Sequence, residues 1–316
     1  MKKIIILLMA SLFIIAACSN GNKKPEDSEN TNVSTDTGGT ETDVGNNTTV
    51  DTPVYIGTKA PTEPKAVGDI VFNDGSATPY TSGLTLTDSQ KASAIAIIFY
   101  KGTGLNSDIY KGADEDGNAV WDTGDTTTSR TLGIGLKHES QAAWCPYGDG
   151  VLNITTIQCT ANGNAGNMSF IGDRNGSDNF EQIAAFEYVE DTETEEYYPA
   201  FYFAKNYKEQ KIGDETESRI VSGSEYENGW YLPSIAELFE IYKSRQTLIN
   251  GVNLDTVIEC CGGDNFPGYF YWSSSQFYSD DGYSFYAYRC NVDSGKCGKW
   301  DKNKAAGSVC VVREFN

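Results

Sequence analysis

The stretch Gly229-Trp230-Tyr231-Leu232-Pro233-Ser234-Ile235-Ala236-Glu237-Leu238 constrains the fold more than any other segment of the chain. It joins an aromatic strand directly to a helix whose first residue is defined. Ser234 can accept a hydrogen bond from the Glu237 backbone N–H while the Glu237 carboxylate accepts one from the Ser234 N–H, a reciprocal capping box. Ile235, Leu238, Phe239 and Tyr242 then fall at i, i+3, i+4 and i+7, which predicts one apolar face. Lys243 and Arg245 sit in the last turn, where positive charge suits the helix dipole. A helix pinned in this way is scaffold, and the functional question is what the scaffold displays.

The 316 residues carry 24 basic and 44 acidic side chains, a net charge of −20. Bulk electrostatics therefore disfavours nucleic acid, anionic membrane and sulfated glycans as partners. The length allows one large domain or two small ones. Met1 to Ala17 has a basic start at Lys2 and Lys3, an apolar run from Ile4 to Ile15, and small residues before Cys18. That is an export signal, too short for a stop-transfer helix. Ile15-Ala16-Ala17-Cys18 resembles a bacterial lipobox. The resemblance implies cleavage after residue 17, an acyl (palmitate-type) anchor on Cys18 and, with Ser19 following, the outer membrane.

Residues 18–65 are rich in Asn, Thr, Asp, Glu, Gly and Ser, with Pro53, Pro61 and Pro64 near the end. They bury too little apolar surface to offset ordering entropy, so a lipidated disordered tether is expected there. A flexible coil of that length spans roughly 35–40 Å. From residue 66 to 316 the texture is that of a folded α+β domain. Asp69 to Phe72 reads as a strand before an Asn73-Asp74-Gly75 turn, and Thr87-Asp88-Ser89-Gln90 as a second capping box. Ala94 to Tyr100 and Thr131 to Leu136 read as partner strands of a buried sheet. The region between, Leu105 to Arg130, reads as a polar loop. Its Asp114-x-Asp116-x-Asn118 spacing invites a calcium reading, but the glycine falls at Gly117 and no bidentate Glu follows, so no metal is assigned. Pro199 opens an aromatic core helix, and Asn253 caps a short helix stopped at Gly262-Gly263. Tyr269 to Ser273, Ser284 to Val292, Lys296 to Trp300 and Ser308 to Phe315 read as four strands.

Besides Cys18 there are seven cysteines, an odd number, so an exported chain leaves at least one unpaired or bonded between chains. Cys290 and Cys297 flank a turn and can face each other across a hairpin. Cys145 and Cys159 bracket one loop and are expected to pair. One of the adjacent Cys260 and Cys261, taken as Cys261, is expected to pair with Cys310.

Four blocks in order, Gly-Trp-Tyr-Leu-Pro-Ser-x-Ala-Glu-Leu, Tyr271-Trp272-Ser273-Ser274-Ser275, a variable Tyr/Asn/Asp/Ser stretch and Cys310-Val311-Val312-Arg313, carry a family resemblance over residues 229–315. The segment resembles the C-terminal domain of the collagen-like Legionella adhesin, found also in many bacterial surface lipoproteins. That resemblance implies a C-type-lectin-like fold, shared with the formylglycine-generating enzyme and with variable proteins of diversity-generating retroelements. It implies a binding scaffold whose ligand face is built by the last strands. The Glu-Pro-Asn and Trp-Asn-Asp triplets of calcium-dependent lectins are missing.

The candidate ligand face comprises Tyr271, Gln276, Tyr278, Asp280, Asp281, Tyr283, Tyr286, Tyr288, Asn291, Lys299, Trp300, Asp301 and Asn303, with Tyr269 alongside. Tyrosine supplies contact area at low rotamer cost and the small polar residues supply adaptable hydrogen bonds. Alternate strand residues also belong to the core, and because Phe285 and Ala287 oppose Tyr286 and Tyr288 in parity, only one set can be exposed. The single histidine, His138, has no nucleophile in its motif context and reads as structural. The expectation is a lipid-anchored adhesin or ligand-binding protein, without enzymatic activity or cofactor, contacting a protein or glycan of a host or neighbouring cell. The alternatives are a formylglycine-generating type of enzyme using Cys260 or Cys261, and a passive envelope component.

Overall fold

The computed structural model describes residues 53–145, 154–187, 197–213, 215–277 and 285–315. The expected signal peptide, Cys18 and the tether up to residue 52 lie outside the described residues. The folded unit begins at Pro53, ahead of the boundary expected at residue 66. The reason is local: Asp74, Ser76 and Thr78 side chains accept hydrogen bonds from the backbone N–H groups of Ile56, Gly57 and Thr58, and Lys59 pairs with buried Asp69 at 2.6 Å.

Strands β1 (Asp69–Phe72) and β2 (Ala77–Pro79) form a hairpin, and helix α1 (Asp88–Ser93), capped by Thr87 and Gln90 as expected, leads into β3 (Ala94–Gly102). A second hairpin, β4 (Ile109–Ala113) and β5 (Ala119–Asp122), precedes β6 (Arg130–Gly135) and β7 (Glu139–Ala142). A third joins β8 (Cys159–Asn164) to β9 (Asn167–Gly172). Four helices follow: α2 (Asn179–Glu187), α3 (Pro199–Lys205), α4 (Ile235–Gln246) and α5 (Leu254–Cys260). The chain ends in β10 (Phe270–Gln276), β11 (Tyr286–Asn291), β12 (Lys296–Asp301), β13 (Gly307–Val309) and β14 (Val312–Glu314).

These elements form a mixed α+β arrangement of short helices and antiparallel sheets. One five-stranded sheet runs β14-β6-β3-β1-β2, antiparallel throughout; the other runs β12-β11-β10-β13-β7, with β10 and β13 parallel. Each sheet lends its two faces to two different cores. Ile70, Phe72, Ile97, Leu132 and Ile134 meet α4, α5, Tyr271 and Cys290 in the first core. Val71, Ile95, Ile98, Trp272, Ala287 and Val309 meet α3 and the Tyr226–Leu232 segment in the second. Runs such as Ala94 to Phe99 are apolar at every position because both sides of the strand are covered.

Two further sequence expectations change. The segment 105–130 is not all loop: Ile109–Ala113 pairs with Ala119–Asp122, and Asp114 serves the turn, its Oδ1 accepting from the Asp116 and Asn118 N–H groups. The last strand is two strands in two sheets. Val309 to Val312 are wholly buried while the chain crosses from β13 to β14, so an apolar run that looked like one strand bridges both cores.

Candidate binding face

A buried polar hub positions the second sheet. In the capping box of α4, Glu237 Oε2 accepts from the Ser234 N–H at 2.8 Å and from the Gly176 N–H at 3.2 Å. Arg130 Nη1 donates to Glu237 Oε1 at 3.0 Å, and Arg130 Nη2 to Tyr231 Oη at 2.9 Å. Glu237 and Arg130 are both inside the protein, where their charges are compensated by each other, by Glu314 at 3.2 Å from the Arg130 Nε, and by these hydrogen bonds. The three serines of β10 each have a partner: Ser273 Oγ donates to the Tyr288 carbonyl, Ser274 Oγ accepts from Asn179, and Ser275 Oγ accepts from the Ile235 N–H. Trp272 and Trp144 reciprocate, each indole N–H donating to a carbonyl beside the other ring, at Ala142 and Ser273. The sequence blocks Trp-Tyr-Leu-Pro-Ser and Tyr-Trp-Ser-Ser-Ser are thus the two halves of one clamp that holds β10 against α4.

The register of β11 on β12 then decides which side chains face outward. Ala287 pairs with Trp300, Arg289 with Gly298, Cys290 with Cys297 and Asn291 with Lys296. Arg289, Gly298 and Trp300 therefore share one face, joined by Phe270 of β10. The Arg289 guanidinium lies between two rings, 4.0 Å from the Phe270 centroid and 3.8 Å from that of Trp300. A groove of ≈ 250 Å³ runs here, lined by Phe270, Arg289, Lys296, Gly298, Lys299 and Trp300. Its charged residues are all cations. Burial lowers the pKa of Arg289, and among the described residues no carboxylate pairs with it; its Nη1 donates to the Ala306 carbonyl. On the opposite face Lys299 lies over Phe277 and Tyr286.

The expected face divides accordingly. Trp300, 43% exposed, together with Lys299 and Asn303, reaches solvent, and Tyr286, Asn291 and Asp301 are half-buried. Asn291 is a turn residue, its Oδ1 accepting from the Asp293 and Ser294 N–H groups. Tyr271, Gln276 and Tyr288 are corrected to the interior. Tyr271 is fully buried in the first core, Gln276 accepts from the Ile154 N–H at 2.9 Å, and Tyr288 packs beside Phe277, with burial pushing its hydroxyl up to about 12. The cause is that β10 and β11 are interior strands whose tyrosine side is covered by the first core, and that the Ile154 segment covers Gln276 on the other side. Tyr278, Asp280, Asp281 and Tyr283 lie outside the described residues. Sequence reasoning missed Arg289, Phe270 and Gly298. The parity of Ala287 and Arg289 with Trp300 was the available signal, obscured by the neighbouring tyrosines.

Cys290 and Cys297 do face each other, with Sγ atoms 3.3 Å apart. The other cysteines expected to pair are all buried. Cys145 packs in the second core with Trp144 and Cys159 in the first, while Cys261 and Cys310 are buried thiols whose pKa burial pushes well up. His138 is enclosed beside Phe266 and Tyr271, and burial pushes its pKa down to about 4. Among the described residues no group of His, Cys, Asp and Glu could hold a metal ion, and no helix is long and apolar enough to cross a membrane.

No protein-family model matches the chain, and no curated protein does. Among solved structures it is similar to a fimbrial protein from Bacteroides ovatus ATCC 8483, at 16% identity and a TM-score of 0.47, over 79% of this chain and 49% of that one. The chain thus spans about half the length of that protein.

Proposed function

We propose that this chain is a lipid-anchored protein of the bacterial outer membrane, displayed at the cell surface, whose C-type-lectin-like domain binds a protein or glycan of a host or neighbouring cell. The observation that carries the reading is the solvent-facing Phe270–Arg289–Trp300 ladder, where a cation without a carboxylate partner among the described residues sits between two rings on the last strands. Aromatic and arginine side chains grouped in this way supply most of the energy at binding interfaces. The lipobox and the polar stretch that follows it in sequence supply the anchor and reach.

Location and binding are tested together. Protease shaving of intact cells should release the domain if it is surface-displayed and leave it intact if it faces the periplasm. The Arg289→Ala/Trp300→Ala double variant, which alters only outward side chains, should lose adhesion of whole cells to a host-cell layer at an unchanged surface level. Unchanged adhesion would rule out this face as the binding surface.

A further inference from the structure

We propose that the outer edge of β12 receives an extended acidic segment of a partner protein as an added strand, with one bulky side chain of that segment seated in the groove over Gly298. The proposal rests on the binding reading above and names its partner class.

The backbone comes first. β12 is the last strand of its sheet, and no described strand pairs with its outer edge. The Lys302 N–H donates to the Phe285 carbonyl at 3.0 Å, which, with Tyr286 opposite Asp301, makes Ala287–Trp300 and Arg289–Gly298 the hydrogen-bonded pairs of the ladder. Cys297 and Lys299 then occupy the alternate pairs, whose N–H and C=O groups point away from β11 toward the free edge. An extended peptide can meet those groups by strand addition, with affinity from the main chain and specificity from alternate side chains.

The side chains then select the partner. Lys296, Gly298 and Trp300 line the edge on the groove side, backed by Arg289 and Phe270, and Lys299 projects on the other side. Two copies of this edge would set lysine against lysine, so the cations that guard it against self-pairing favour an acidic strand instead. A long polyanion would meet the rest of a chain whose net charge is −20, whereas a short acidic segment meets only the groove. A Cβ built on Gly298 has no atom within 4 Å, so the space over it is open, next to the Arg289 guanidinium that fills the gap between the Trp300 and Phe270 rings. Residues opposite positions 296, 298 and 300 share one face of an added strand, which gives the pattern acidic, any, bulky apolar, any, apolar or acidic.

The probe is an end-blocked, fluorescein-labelled peptide, Thr-Glu-Thr-Phe-Thr-Glu-Thr, titrated against the full chain by anisotropy. Controls carry Lys for both Glu, or N-methyl groups on alternate backbone nitrogens. Saturable binding is expected, weakened at least about tenfold by either control and by Gly298→Val, with slowed amide exchange at Lys299. Equal binding of the N-methylated peptide, or no protection at Lys299, overturns strand addition. Absence of binding at millimolar peptide overturns the proposal outright. Binding of tetragalacturonate in place of the peptide, lost in Arg289→Ala, also overturns it in favour of an acidic saccharide while leaving the adhesive reading intact. That reading fails separately, when cell adhesion does not change in the double variant. Lys296→Glu/Lys299→Glu alters exposed positions and Gly298→Val adds its side chain into open space, and an unchanged melting temperature in both keeps a loss of binding from being a loss of fold.

Discussion

His138 and Asp173 are enclosed groups whose protonation responds to folding with opposite effects on stability. Burial lowers the His138 pKa to about 4, so below its unfolded value near 6.5 the unfolded chain takes the proton first, and stability is lost as pH falls toward 4. Asp173 is raised to about 7 by burial, which outweighs its hydrogen bonds from Ser107 and Asn179; the native state holds that proton more tightly, so stability is gained as pH falls from 7 toward 3.8. Each effect is on the order of 3 kcal/mol, and between pH 6.5 and 4 they offset. Urea unfolding of Asp173→Asn should therefore show stability falling on acidification, and His138→Phe should show it rising. Flat profiles in both would contradict the assignment. Arg130 is the other decisive residue, since it faces buried Glu237 across 107 positions of sequence. Arg130→Met should cost about 3–5 kcal/mol in denaturant unfolding by stranding a buried carboxylate, and Arg130→Met/Glu237→Gln should recover part of it. The Ser234–Glu237 box was legible because its partners are three residues apart. Arg130 was not, because its partners Leu105, Tyr231 with Glu237, and Glu314 come from three segments far apart in the chain.

At the scale of elements, the hairpin β11–β12 carries the functional argument and its own lock. Cys290 and Cys297 form a non-hydrogen-bonded pair, the position where antiparallel Cα atoms lie closest, at about 4.5 Å. In an oxidising compartment, exchange with an external disulfide would join them with loss of two hydrogens. Peptide mapping without reductant should recover residues 290 and 297 in one cross-linked fragment. Replacing both by Ser should lower stability by about 2 kcal/mol under oxidising conditions and by less in reductant. Recovery of both as free thiols after air exposure of the folded protein would refute this. The capped helices and the strand pair β3–β6 were legible because caps and apolar runs are local signals. Which alternate residues of β11 face out was not. Periodicity gives two sets, and the choice between them depends on α4 and on β8–β9, which cover the tyrosine side. The hairpin β4–β5 escaped for a related reason: with side chains at most half-buried, it lacks the burial contrast that marks a strand.

For the molecule as a whole, the final residues tie the two sheets into one cooperative unit. β13 sits between β10 and β7 in the second sheet, and three residues later β14 forms the edge of the first beside β6. Tyr231 adds a bridge to Val312, so the helix-bearing clamp and the chain end meet at that point. Val309, Val311, Val312 and Phe315 are all buried, Val312 in the first core and the other three in the second. At about 1.5–3 kcal/mol for each buried side chain, their removal forfeits a sum comparable to the entire stability of an ordinary domain, about 5–15 kcal/mol. The other end differs: the folded unit starts at Pro53, and both cores are built from residues beyond it. Two truncations should therefore diverge. A chain of residues 53–316 should melt cooperatively at the midpoint of the longer chain, whereas one ending at Ala306 should show no cooperative transition in near-ultraviolet circular dichroism. A cooperative transition in the second would mean that the sheets fold independently, and the crossing at Cys310-Val311 would then be a connection and not a keystone.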